Sequence, residues 1–276
     1  MTLYLTEETD PKEVKEGFLS GQISAIKLYP AGATTNSQSG VRNFEKIKSV
    51  LEIMAEIGCP LCIHGEVTEK NIDIFDREKA FIDNVLNKIR TDNPTLKVIM
   101  EHITTKDAVN YVFSENENLA ATVTAHHLSI NRNDLLAGGI RPLFYCLPVV
   151  KRETHRLALV EAVVAGSPKF FLGTDSAPHL DQDKESSCGC AGCFTATNSI
   201  EILAHIFEEQ KALGKLELFT SINGAKFYDL SLNSTLSKFT KFKEAIKYPR
   251  KIKVGKGLIT VFNPGYPLYW KNEILN

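Results

Sequence analysis

A chain of 276 residues with 43% hydrophobic and 24% charged residues can bury a sizeable core, and its formal charge of −1 offers neither a basic face for nucleic acid nor an acidic tail. No window approaches the roughly 18 uninterrupted apolar residues of a membrane span, and "MTLYLTEETDPKE" lacks the basic start and apolar stretch of a secretory leader. The expectation is a cytoplasmic protein acting on a small molecule, with no nucleic-acid or membrane partner, whose six cysteines are thiols or ligands rather than a disulfide scaffold.

In chain order, the first strand expected is "LYLT" (3 to 6), followed by a helix over "DPKEVKEGFLSG" with Asp10 as N-cap, Pro11 in its first turn and Gly21 past its end. Strands follow at "AIKLYP" (25 to 30), "LCIHGE" (61 to 66), "KVIMEHI" (97 to 103), "LAATVTAHHL" (119 to 128) and "FFLGTDS" (170 to 176). Helices are expected at 42 to 57, 71 to 92, 106 to 117, 152 to 165 and 195 to 213. Six strands alternating with helices predict βα units on a parallel sheet, in a single domain over 1–276. After residue 214 the pattern weakens through "SINGAKFYDL" and a Lys-rich stretch at 238 to 253, ending in a strand-and-turn tail, "GLITVFNPGYPLYW".

Polar residues mark the strand ends. Lys27 lies inside "AIKLYP", His64 closes "LCIH", His102 follows "VIME", and Asp175 follows "FFLGT". The C-terminal ends of the strands of a parallel α/β barrel meet at one face, so these four are expected to converge. Two imidazoles, a carboxylate and a lysine together suit a borderline cation such as Zn²⁺. Singly, each has a plainer reading: a strand-end His is usually a hydrogen-bonded structural residue, and Asp175 before "SAP" can cap a turn. A lysine flanked by Ile26 and Leu28 is odder, since it needs a partner or a lowered pKa.

Cys188, Cys190 and Cys193 offer a competing sulfur site, with Cys146 as a fourth thiolate, but supply only one paired C-x₂-C spacing of the kind structural zinc uses. Gly189, Ala191 and Gly192 between them suit a backbone that approaches a ligand closely. His126 and His127, read as strand residues, should point to opposite faces.

The blocks "KLYPAGATTNS", "HGEVT", "DIFDRE", "EHITTKDA", "YCLPVVKR", "FLGTDSAPH" and "KESSCGCAGCF" closely resemble the shorter class of bacterial dihydroorotases, amidohydrolases of pyrimidine biosynthesis, from residue 1 to about 230. The resemblance implies a (β/α)8 TIM barrel of the metal-dependent hydrolase type, here with about six of its eight βα units. It implies reversible hydrolysis of the cyclic amide of dihydroorotate to N-carbamoyl-L-aspartate in a homodimeric enzyme with two zinc ions per subunit. By that likeness Lys27 is the carbamylated lysine bridging the zincs, His64 and His102 hold the second zinc, and Asp175 binds the first and shuttles the proton. His179 and the backbone of Leu147 and Ala191 face the substrate, and Thr34 and Thr35 lie on a mobile loop that closes over the pocket. The family's His-x-His pair on the first barrel strand, its nearby arginine and a later asparagine have no counterpart, because these 276 residues open at the third strand of the pattern. A start placed at an internal methionine and a genuine fragment both explain this. Two alternatives stay open: a non-catalytic relative that pairs with another chain such as aspartate transcarbamoylase, and a hydrolase of hydantoin or a related imide.

Overall fold

A computed structural model describes residues 1–275 and divides the chain into two compact units, Met1–Thr122 and Val123–Asn276, each taken by itself below. Six strands form the main sheet in the order β1-β2-β3-β4-β5-β6, parallel at the pairings from β1 to β5. Its alternation with helices fits an incomplete (β/α)8 barrel.

The first unit runs β1 (Thr2–Tyr4), α1 (Pro11–Leu19), β2 (Ala25–Leu28), α2 (Lys48–Ile57), β3 (Leu61–His64), α3 (Arg77–Phe81), α4 (Asn87–Asp92), β4 (Val98–Glu101), α5 (Lys106–Ser114) and β5 (Leu119–Val123), whose last residue opens the second unit. A π-helical stretch at Ile82–Leu86 joins α3 to α4. Strands β2, β3 and β5 are buried at every position, as befits parallel strands covered on both faces. The helix ends are capped: Asp10 accepts from the Lys12 amide as expected, Gly21 and Gly58 take positive φ, and Thr105 accepts from the Ala108 amide at the start of α5.

The second unit adds α6 (Ala125–Ser129), α7 (Arg132–Leu136), α8 (Glu153–Val164), β6 (Phe170–Leu172), α9 (Asp181–Lys184), α10 (Ser199–Glu209) and α11 (Asn223–Phe227). Asn223 Nδ2 donates to the carbonyls of Ser167 and Phe170 at 3.0 Å each, tying the start of α11 to the entry of β6. Two antiparallel pairs follow: β7 (Ser237–Lys241) with β10 (Trp270–Ile274), and β8 (Lys251–Val254) with β9 (Gly257–Thr260).

The six main strands and the helices between them lie where the sequence places them, with three instructive departures. The stretch 119–128 is not one strand: it stops at Val123, and Thr124 accepts from the His127 amide to cap α6, so His126 and His127 are helical neighbours with ring centroids 4.5 Å apart. Opposite-face pointing does not apply to them. "SINGAKFYDL" contains α11, hidden by an Asn-Gly pair that ordinarily signals a turn. The Lys-rich stretch carries β7 and β8, whose largely exposed faces leave no apolar alternation to read.

Candidate active site

In the first unit the strand register gathers the polar groups. Lys27 is level with Cys62, and His64 with Glu101, so side-chain alternation puts Lys27, Cys62, His64 and Glu101 on one face of β2, β3 and β4. Lys27 Nζ makes an ion pair with the Glu101 carboxylate and sits 4.7 Å from the centre of the Tyr29 ring. Glu101 is thus the partner that a buried lysine needs.

His102 would fall on the other face if β4 continued. Its φ of +44° breaks the alternation, its amide donates to Thr122 Oγ1 at 2.7 Å, and its ring ends with its centroid 4.8 Å from that of His64. Glu78, itself buried, holds the next residues in place, accepting from the amides of Thr104 and Thr105 at 2.8 Å each and from the Thr104 hydroxyl at 2.9 Å. His64 Nε2 lies 2.8 Å from Glu66 Oε2. A neutral ring that donates Nε2–H to this carboxylate keeps its lone pair on Nδ1, the arrangement in which metal-binding histidines are usually held. The other oxygen of buried Glu66, Oε1, has no hydrogen-bond partner among the described residues. Two buried imidazoles flanked by Glu66 and Glu101, with one carboxylate oxygen unmatched, therefore fit a cation.

Thr34, half-buried, and Thr35, exposed, lie in a compact loop closed where Val41 N donates to the Tyr29 carbonyl at 2.8 Å and Ala31 N to the Val41 carbonyl at 3.0 Å. Ser37 Oγ accepts from the Thr34 amide and donates to the Thr34 carbonyl.

In the second unit, Asp175 is exposed three residues beyond β6 with φ +42°. Its neighbour Ser176 accepts at Oγ from the amides of Thr195 and Ala196, and Ala177 N donates to the Cys193 carbonyl, so the segment after β6 is laced to the cysteine loop. His179 Nε2 lies 3.1 Å from the Ala191 carbonyl, bringing two of the expected substrate contacts together. Leu147 stands two residues beyond Tyr145, whose carbonyl accepts from Gly192 N at 2.9 Å. Gly192 has φ +141°, and a Cβ there would stand 2.4 Å from Ala177 Cβ, so no other residue fits. Among the described residues six non-glycine residues have positive φ; His102, Asp175, Asn36 and Cys190 lie at or beside expected site positions.

The sulfur site fares differently. Cys188 is exposed, Cys190 half-buried, and buried Cys193 points its thiol at the Leu143 carbonyl, 3.7 Å away. Ligand atoms of His126, His127 and Cys146 do lie within 4.8 Å of one another. The His127 ring, however, already bonds the Thr124 hydroxyl and the Pro148 carbonyl, both at 2.9 Å. His126, fully buried with neither ring nitrogen hydrogen-bonded among the described residues, is held neutral by burial, which pushes its pKa well below the ordinary imidazole range. The Cys146 thiol is pushed well up by its hydrogen bond with Cys193 and by burial.

No family model matches the chain. A dihydroorotase of Chelativorans sp. (strain BNC1) is 58% identical over 273 residues, covering 99% of this chain and 79% of that protein. The chain belongs to the dihydroorotases. The crystal structure of dihydroorotase from Saccharomyces cerevisiae in complex with 5-fluoroorotic acid superposes with a TM-score of 0.90 at 35% identity, over 99% of this chain and 80% of that one. Dihydroorotase from Campylobacter jejuni gives 0.84 at 33% identity, over 99% and 77%. Dihydroorotases are hydrolases of a cyclic amide, and the incomplete barrel described above is the amidohydrolase fold of these structures.

Glu66, Glu78, Glu101 and Lys184 are not singled out in the sequence reading, although each lies in or beside a quoted block. A buried carboxylate is not distinguishable from a surface one in a polar run such as "DIFDRE". The signal for Glu66 and Glu101 is their spacing from the histidines, two residues after His64 and one before His102.

Proposed function

We propose that residues 1–276 act as a single amidohydrolase-type domain that interconverts dihydroorotate and N-carbamoyl-L-aspartate, the ring-closing step of pyrimidine synthesis, in the cytoplasm and as a homodimer. Family membership at 58% identity supports the reaction, and the observation that carries the site is the cluster of buried Lys27, His64 and His102 with Glu101 at the ends of β2, β3 and β4.

In this reading His64 and His102 hold one of two zinc ions and Asp175 the other. Bound metal supplies Lewis-acid polarisation of the ring carbonyl and an acidified water. Lys27, reacting as the free amine with CO₂ to form an N–C bond and release a proton, would become a carbamate able to serve as a carboxylate ligand to the metal. Glu66 keeps the His64 imidazole aimed, and Glu78 fixes the backbone that follows His102. Asp175, three residues beyond β6, would take the proton of the attacking water and return it to the ring nitrogen as the amide C–N bond breaks. His179 and the backbone of Leu147 and Ala191 orient the substrate, and the loop bearing Thr34 and Thr35 covers it.

The test is to purify the chain, measure zinc and carbamate content, and assay dihydroorotate against hydantoin. Turnover of dihydroorotate that is lost with chelation and regained with zinc is expected; hydantoin turnover without dihydroorotate turnover would overturn the substrate.

A further inference from the structure

Lys184 is a lysine with only 3% of its surface exposed, and among the described residues none of its hydrogen bonds goes to a carboxylate. Its ammonium has three donors, and all three are used on main-chain carbonyls: Tyr145 at 2.7 Å, Cys190 at 2.8 Å and Gly192 at 2.8 Å. Burying a charge for carbonyls alone is costly, and burial lowers the pKa of this amine, so the arrangement marks carbonyls whose placement matters. Two of them flank Ala191. The Cys190 carbonyl belongs to the same peptide unit as the Ala191 N–H, and in a planar trans peptide the two bonds point in opposite directions. Anchoring Cys190 O on Lys184 thus aims the Ala191 N–H away from the lysine and polarises it as a donor. The Ala191 carbonyl is occupied by His179 Nε2. The third carbonyl, of Tyr145, also accepts from Gly192 N, closing the 188–193 loop onto the segment leading to Leu147.

The lysine is itself braced. Asp181, at the start of α9, accepts at Oδ1 from the Thr260 amide at 2.9 Å and pairs at Oδ2 with Lys251 at 2.7 Å, fixing α9 to the β8–β9 hairpin. A Cβ on Gly257 would come within 2.7 Å of Leu180, so hairpin and helix touch closely.

We propose that Lys184 is a positioning residue that sets the Ala191 amide and the neighbouring main chain for the substrate, acting through the carbonyls of Cys190, Gly192 and Tyr145. This rests on the proposed role of Leu147 and Ala191 as substrate contacts. The experiment compares the full chain with Lys184→Met and Lys184→Ala. Losing a charge-supported donor to the substrate should raise KM for dihydroorotate at least about tenfold while kcat stays within about threefold. Hydrogen exchange of amides 189–193 should quicken at least about tenfold with residues 1–122 unchanged, and n-butylamine should restore both quantities in Lys184→Ala by filling the vacated site. Wild-type KM, or unchanged exchange over 189–193, in folded variants overturns the proposal. Should both variants fail to fold, Lys184→Gln, which keeps N–H donors without the charge, carries the same comparison. Absence of dihydroorotate turnover in the unaltered chain counts against the proposed function instead, and the exchange result then decides the role of Lys184.

Discussion

The first unit builds its polar cluster from side chains on strands, whereas the second builds its polar loop from main chain held by side chains. The β2, β3 and β4 register places Lys27 and His64, and acidic neighbours hold the His64 ring (Glu66), the backbone after His102 (Glu78) and the Lys27 ammonium (Glu101). Around Ala191 no strand is available, and placement falls to Lys184, the Ser176 hydroxyl and glycines at positive φ. The lesson is that polar side chains are gathered by a rigid lattice beneath them, while a polar loop is set by satisfying its carbonyls from behind.

The comparison breaks most visibly at His102. Its replacement by Ala should cost at least about a thousandfold in turnover, since carbonyl polarisation by metal is worth several kcal/mol and each 1.4 kcal/mol is about tenfold. Zinc bound per chain, measured by atomic emission, should fall; unchanged zinc would separate this cluster from metal binding. Asp175→Asn asks whether the second region contributes a proton-transferring side chain: turnover should drop at least about a hundredfold with the thermal midpoint little changed, and near-normal turnover would remove Asp175 from the proton transfer.

Glu66→Gln sharpens the first half of the comparison. Losing the carboxylate behind His64 should weaken zinc binding by about 10-fold to 100-fold in a chelator competition, and no weakening would mean that the sheet alone aims the ring.

The smallest effect is a pH dependence in the second unit. His126 has a folded pKa depressed below its unfolded value of 6.5, so its contribution to stability is fully present above 6.5 and is lost as pH falls below it. Down to the folded pKa, wild type should lose about 1.4 kcal/mol per pH unit relative to His126→Leu in denaturant titrations, since the unfolded chain takes up a proton that the fold refuses. Parallel pH profiles would show that the ring is reached by water or a partner.

The same contrast explains what the sequence discloses. Lys27, His64 and His102 are legible because a polar residue in or after an apolar strand is conspicuous, and the six main strands are legible for the same reason. His102 is legible as a residue but not as a geometry: nothing in "VIMEHI" announces the left-handed turn that brings its ring to His64. Lys184 is invisible, since a lysine in "DQDKESS" reads as solvated and only the folded loop shows three carbonyls converging on it. His126 misleads because a helix N-cap at Thr124 competes with strand propensity in "ATVTAHH", and tertiary burial decides for the helix.

The uneven exposure of the thiols has a practical side. Of the six cysteines Cys188 alone is exposed, with Cys190 half-covered and the other four buried. The buried Cys59 thiol is further silenced by a pKa pushed up to about 12. Brief treatment with a maleimide dye therefore marks the native protein at Cys188, where the 188–193 loop begins, without any engineered cysteine, and the emission of that dye becomes an optical report on what reaches the loop in the unmodified sequence.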